Sequence, residues 1–255
     1  MKTIIANWKM NVGVRESVAL ARGTLLTLRG RKIAPELIIC PAFIALSEVR
    51  KVVARSSVAL GAQNVFWEES GAHTGEISTR MLQELNVSHV LLGHSERRAM
   101  GETDEDVHKK LLRCLEDGIA PIVCVGETKD ERDQGQAMEV VKRQITSAFQ
   151  GVQIRSQKVF VAYEPVWAIG TGDSANVSDV MEMHTFIRSV LNDLYGDTDS
   201  KQLPIIYGGS VDPENAYGFL REIVVDGLLV GGASVKINQF KDIVSAAVNV
   251  MEAQQ

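Results

Sequence analysis

The chain has 255 residues, of which 45% are apolar and 23% charged, the proportions of a soluble globular protein. Its net charge is −5 and its isoelectric point about 5.6. This argues against a nucleic acid or an anionic membrane as the main partner, while a small anion can still be held by backbone amides and one lysine.

The first residues, MKTIIANWKMN, hold only three consecutive apolar positions, Ile4 to Ala6, so neither a signal peptide nor a membrane span is expected. Short apolar runs rich in β-branched residues then recur eight times: Thr3–Lys9, Leu37–Ala42, Val58–Val65, His89–Ser95, Ala120–Glu127, Val159–Val166, Pro204–Ser210 and Gly227–Ser234. Their cores are continuously apolar rather than alternating, the pattern of parallel strands covered on both faces. Helix-period stripes lie between them. Val14, Val18, Ala21, Leu25 and Leu28 form one. Val107, Leu111, Leu112 and Leu115 form another, introduced by Thr103 and Asp106 as a capping pair. Ala137, Val140, Val141, Ile145 and Ala148 make a third, and Met183, Phe186, Ile187, Val190, Leu191 and Leu194 a fourth, with Ser178 as the expected N-cap. Asp212-Pro213 reads as a cap followed by Pro at the first helical position. Ile237, Phe240, Ile243, Val244, Ala247 and Met251 end the chain. This alternation predicts an α/β fold, a (β/α)8 TIM barrel, with an open doubly wound sheet as the alternative. No Pro/Ser-rich linker interrupts it, so residues 1–255 are expected to form one domain. The cysteines, Cys40, Cys114 and Cys124, have no metal-ligand spacing and read as reduced, buried thiols of a cytoplasmic protein.

In either fold a ligand belongs at the C-terminal ends of the strands. There the sequence sets Asn7-Trp8-Lys9, His94, Glu164, and the glycine turns Gly208-Gly209-Ser210 and Gly231-Gly232-Ala233-Ser234. Glu164 ends a buried run that Pro165 stops, and Val166-Trp167-Ala168-Ile169 follow as an apolar flap closed by Gly170 and Gly172. A carboxylate beneath such a flap fits a base under a water-excluding lid; a loop that merely packs its Trp is the plainer alternative. His94 precedes a helix start, where the imidazolium is disfavoured and a neutral ring can donate a hydrogen bond; a satisfied buried histidine fits equally. Lys9 is either a site cation or a surface lysine with a snorkelling stem. The glycine turns can aim N–H groups at an anion or simply pack tightly. Gly170 to Ala175 fits G-x-G-x-x-A, but it does not follow its strand directly and no acid stands at the end of the next strand, which excludes a nicotinamide site.

Six motifs in this order resemble the triosephosphate isomerase family over essentially the whole chain: ANWKMN (Ala6–Asn11), GAQN (Gly61–Asn64), GHSERR (Gly93–Arg98), YEPVWAIGTG (Tyr163–Gly172), YGGSV (Tyr207–Val211) and LVGGAS (Leu229–Ser234). The resemblance implies Glu164 as base, His94 as electrophile and Lys9 as the cation near the developing oxyanion. It implies Asn7 as a substrate contact, Gly170, Ser210, Gly231 and Gly232 as phosphate-binding amides, and Glu96 and Cys124 as residues supporting them. The resemblance also implies a Glu base paired with a neutral His under a closing loop. The implied reaction interconverts dihydroxyacetone phosphate and glyceraldehyde 3-phosphate with no metal or redox cofactor. The family also implies a homodimer, formed through the loop Gly71–Glu76, with Thr74 near the neighbour's Lys9. Two departures stand out: His73 replaces a residue often aromatic or apolar, and Arg98–Glu102 is one residue shorter than the usual spacing. Another phosphosugar isomerase or epimerase, and a non-catalytic phospho-ligand binder, are the competing functions.

Overall fold

A computed structural model describes residues 1–154, 158–169 and 175–254. Eight parallel strands close on themselves in chain order: β1 Thr3–Asn7, β2 Glu36–Cys40, β3 Ala59–Ala62, β4 His89–Leu92, β5 Ala120–Val125, β6 Phe160–Tyr163, β7 Ile205–Tyr207 and β8 Gly227–Val230. Closure pairs β1 with β8, Thr3 standing opposite Gly227. A Cβ on Gly227 would lie 2.0 Å from the Thr3 carbonyl oxygen, so only glycine admits this approach. Nearly every strand position is buried, as continuous apolarity predicts.

Alternate strand residues divide the core in two. Ile5, Ile38, Leu91, Ile122, Phe160 and Ile206 fill the barrel interior. Their neighbours Ile4, Ile39, Val90, Val123 and Val161 face outward into a second cluster shared with the helices. The helices are α1 Val14–Leu28, α2 Leu46–Val53, α3 Thr79–Glu84, α4 Ser95–Ala99, α5 Asp104–Glu116, α6 Lys129–Asp133, α7 Ala137–Phe149, α8 Val177–Ser200, α9 Ala216–Leu220 and α10 Ile237–Ala253. Helix α8 breaks at Gly196, whose φ of 78° leaves helical space.

Several expectations need correction. The strands stop two to four residues short of the predicted runs, because the chain turns out of the sheet as soon as it reaches the rim; Lys9, His94, Glu164 and Ser210 stand just beyond the ladders. Helices α2, α3 and α6 carry no apolar stripe long enough to be read. In α1 the buried residues are Ser17, Ala21, Thr24 and Thr27, while Val14, Val18, Leu25 and Leu28 are half-buried. Small side chains occupy the line of closest approach to the barrel and larger ones flank it. Leu112 and Leu194 are exposed. The cap of α8 is Asn176, whose side chain accepts from Asp179 N–H at 2.8 Å, and Ser178 lies inside the helix. Asp212 does cap a turn, accepting from the N–H groups of Glu214 and Asn215 at 2.8 and 2.9 Å, but α9 begins only at Ala216. The Thr103–Asp106 capping box forms as read.

Candidate active site

The rim at the C-terminal ends of the strands encloses a cavity of about 360 Å³. Asn7, Lys9, His94, Glu164, Ser210, Gly231 and Gly232 all line it. Gly170 lies outside the described residues. Glu96 lines an adjoining cavity, and Cys124 is buried in the barrel interior beneath.

Glu164 follows β6 and is almost fully buried, 2% exposed. One carboxylate oxygen, Oε2, accepts from Ser95 N–H at 2.8 Å. The other, Oε1, lies 3.1 Å from His94 Nε2 but off the line of a hydrogen bond. Its backbone N–H donates to the Val125 carbonyl at 2.7 Å. Two glycines let the chain pass: a Cβ on Gly126 would lie 1.7 Å from the Glu164 carbonyl oxygen, and one on Gly208 would lie 3.0 Å from Glu164 Cγ.

His94 caps α4. Its Nδ1 accepts from Glu96 N–H at 3.2 Å, so Nδ1 carries no proton and Nε2 carries the ring's single one. After the helix the Arg98–Glu102 segment turns at Gly101, φ 101°. Glu102 then ion-pairs with Lys110 in the interior, and His94 keeps its cap.

Lys9 has φ 50°, a left-handed backbone rare for a side-chain-bearing residue. Three contacts hold it there: Lys9 N–H donates to Asn7 Oδ1 at 3.0 Å, Gln63 Nε2 donates to the Lys9 carbonyl at 2.9 Å, and the ammonium donates to Glu96 Oε1 at 2.6 Å. The β8 end is tied to β1 by Ser234, whose hydroxyl contacts the carbonyls of Gly231 at 2.6 Å and Asn7 at 3.4 Å.

The flap opens as a 3-10 turn, Val166–Ala168, and Ile169 reaches the cavity. Trp167 Nε1 donates to Glu127 Oε1 at 2.8 Å, and the Arg132 guanidinium sits 4.7 Å from its ring centroid. The same Glu127 oxygen accepts from the Tyr163 hydroxyl at 3.1 Å and from Arg132 at 3.2 Å. Burial and then the Glu127 carboxylate push the Tyr163 phenol upward. Burial, with the nearby Glu164 charge second, raises Cys124 well above the ordinary thiol range, so it is a packed thiol rather than a nucleophile.

The family model for triosephosphate isomerase matches residues 2–247. The chain belongs to the triosephosphate isomerase family. It is 47% identical over 244 residues to the triosephosphate isomerase of Aquifex aeolicus (strain VF5), covering 95% of this chain and 98% of that one. It is 46% identical over 247 residues to that of Alkaliphilus metalliredigens (strain QYMF), covering 96% and 99%. It is 44% identical over 247 residues to that of Chlorobium phaeobacteroides (strain BS1), covering 96% and 98%.

Sequence reasoning missed several residues of this family's cavity in the present chain. Lys236, Gln239 and Asp212 line it but follow the strand ends by several residues. Gln63 lies in the GAQN motif, and its amide also donates to the Cys40 carbonyl at 2.9 Å, tying β2 to the loop after β1. Ser95 N–H carries no side-chain signal at all.

Proposed function

We propose that the rim cavity is where this triosephosphate isomerase family member interconverts dihydroxyacetone phosphate and glyceraldehyde 3-phosphate, with Glu164 carrying the proton. The observation that carries this reading is the convergence of a carboxylate, a neutral imidazole N–H donor and an ammonium on one cavity that also borders two glycine turns.

Glu164 turns from Ser95 N–H toward the substrate, removes a proton from the carbon beside the carbonyl, and returns it to the neighbouring carbon. His94 Nε2–H and the Lys9 ammonium face the two oxygens of the enediolate and stabilise the developing charge. Asn7 fixes Lys9 and contacts the substrate. The backbone amides of Ser210, Gly231 and Gly232, with Gly170 as expected from the resemblance, hold the phosphate dianion. Val166–Ile169 keep water from the enediolate, protecting it from loss of phosphate. Glu96 positions Lys9 and His94, and Cys124 packs beneath Glu164. Proton transfer between adjacent carbons needs no redox carrier.

The chain is further read as one domain, residues 1–255, working as a homodimer in the cytoplasm. Support for the dimer comes from the fully exposed loop Gly71–Glu76 and from Met10, Ile44 and Met100, which are 96%, 74% and 71% exposed. Large apolar side chains left this bare mark a contact surface. His73 packs tilted against Phe66 with centroids 4.6 Å apart, so a ring stands at this position. Three free, buried cysteines fit a reducing compartment.

The purified protein should exchange carbon-bound hydrogen of either triose phosphate with solvent, with nothing added. Glu164→Gln should fold and lose at least ~10²–10⁴-fold in kcat. Exchange that survives this substitution would overturn the role of Glu164. A sedimentation run giving only monomer at micromolar concentration would overturn the dimer.

A further inference from the structure

We propose that Gln144 is a positioning residue for Glu164, acting through the main chain of Gly126; the inference rests on Glu164 being the base. Strand β5 ends at Val125, so Gly126 lies past the last rung of its ladder. Both of its backbone polar groups are instead taken by one side chain. Gly126 N–H donates to Gln144 Oε1 at 2.8 Å, and Gln144 Nε2 donates to the Gly126 carbonyl at 3.1 Å.

Gly126 is in direct contact with the main chain of Glu164. An added Cβ would meet the Glu164 carbonyl oxygen at 1.7 Å, its carbonyl carbon at 2.5 Å and its Cα at 3.2 Å. On either side of Gly126, Val125 accepts from Glu164 N–H at 2.7 Å and Glu127 accepts from Val166 N–H at 3.0 Å. Glu164 therefore runs between two glycine walls. The Gly208 wall is anchored where β7 ends, its N–H donating to the Tyr163 carbonyl at 2.7 Å. At the Gly126 wall the amide of Gln144 takes the two polar groups of Gly126 itself, between the main-chain bonds made by Val125 and Glu127.

Gln144 is only 5% exposed and sits on α7 among Val140, Val141, Ile145 and Ala148. An amide in such a stripe is costly unless both of its ends are bonded, and both ends go to Gly126. A residue that merely satisfied buried main-chain groups would change melting temperature and leave turnover of the folded enzyme alone. A residue that sets the Glu164 carboxylate changes turnover. It leaves the phosphate cradle intact, because Ser210, Gly231 and Gly232 are built on β7 and β8.

The test uses two variants of the full chain. Gln144→Met removes both bonds at similar volume. Gln144→Glu restores them when its carboxyl is protonated, O–H donating to the Gly126 carbonyl and C=O accepting from its N–H. Burial raises the pKa of that acid. For protein shown to be folded by circular dichroism, kcat, KM and the inhibition constant of inorganic phosphate are measured. Gln144→Met is expected to lose roughly tenfold to a hundredfold in kcat, the scale of an ångström-size misplacement, with KM and phosphate inhibition within about threefold of the parent. Gln144→Glu is expected to recover toward parent activity as the pH falls from about 8 to about 6, as its buried acid takes up a proton.

A folded Gln144→Met with kcat within about twofold of the parent overturns the inference, as does a kcat loss matched by an equal weakening of phosphate. Should Gln144→Met fail to fold, the Gln144→Glu profile decides: a ratio to parent that rises on acidification supports the inference and a flat one overturns it. Glu164→Gln in the same assay separates the two claims. Retained turnover there removes the base reading itself. Lost turnover there, with Gln144→Met fully active, removes only the positioning role.

Discussion

The left-handed backbone at Lys9 offers a test of whether conformational strain is stored for function. For an L-residue with a Cβ this conformation costs ~1–2 kcal/mol. Lys9→Gly removes that cost but loosens the unfolded chain, giving back ~0.4–1 kcal/mol. Lys9→Met keeps the Cβ and the strain. Both variants lose the ammonium and its ion pair with Glu96, whose side chains are 21% and 53% exposed, a pair contributing at most ~1 kcal/mol. The pair cancels in the comparison. Lys9→Gly should therefore be more stable than Lys9→Met by about 0.8 kcal/mol at the middle of these ranges and by up to ~1.6, or roughly 2–6 °C in Tm for a chain of this size. Both should lose at least ~10²-fold in kcat, since a charge aimed at the enediolate oxygen is gone. The assay is thermal and urea unfolding at matched protein concentration, because association shifts apparent stability, with initial rates on the same samples. If Lys9→Met proves as stable as Lys9→Gly, the left-handed turn stores no strain. If Lys9→Gly keeps its activity, the ammonium has no part in the chemistry.

Burial holds the imidazoles of His89 and His184 down at about 4, against an unfolded value near 6.5. Between those values the unfolded chain binds protons that the folded chain refuses, so stability is flat above about pH 6.5 and falls as pH drops toward 4, by up to roughly 3 kcal/mol per ring. Urea midpoints across this range should show the slope, and His184→Gln should remove about half of it; a slope that His184→Gln leaves unchanged would contradict the assignment. Gly227→Ala should fail to close the barrel, because the new methyl meets the Thr3 carbonyl at 2.0 Å; a loss of at least ~3 kcal/mol or insoluble protein is expected, and a native-like Tm would refute the closure argument. Trp167→Phe keeps an aromatic but smaller ring and deletes the 2.8 Å bond to Glu127. It should lower kcat several-fold, by the ~1.5–3 kcal/mol of a hydrogen bond to a charged group at most, and unchanged turnover would show that this bond does not serve the flap.

The strands, their parallel sense and the rim position of the charged residues were readable because each depends on local pattern. Continuous apolar runs such as Gly227–Ser234 mark where strands lie, but not where they end: β8 stops at Val230 and β6 at Tyr163, ahead of Pro165. Helices α2, α3 and α6 were missed because eight, six and five residues span too few turns for a period to emerge. The α1 face was misjudged for a different reason. Apolarity locates the general side of a helix, but packing distance chooses which residues lie nearest the barrel, and there Ser17 and Thr24 fit where Val18 does not. Gln144 was invisible for the same reason as Ser95: it acts through a neighbour's main chain, and a polar residue inside an apolar stripe reads as an interruption. The left-handed turn at Lys9 has no sequence sign either, since only glycine advertises that region.

What joins these observations is the short exit of the chain from β5. Val125, Gly126 and Glu127 leave the barrel in a row, and each serves a different part of the site: Val125 takes the backbone N–H of Glu164, Gly126 packs on its carbonyl, and Glu127 gathers Trp167, Tyr163 and Arg132. Base and flap thus share one wall three residues long. Regular pairing of β5 ends at Val125, and the main-chain bond past it, Val166 N–H to the Glu127 carbonyl, does not reach the polar groups of Gly126. The fold instead borrows an amide from α7 and a carboxylate buried at 0% exposure. Glu127 and Gly126 are joined by one peptide, so the wall that holds Trp167 is continuous with the wall that packs on Glu164. The geometry therefore seats the candidate base and the start of the flap on the same main-chain segment.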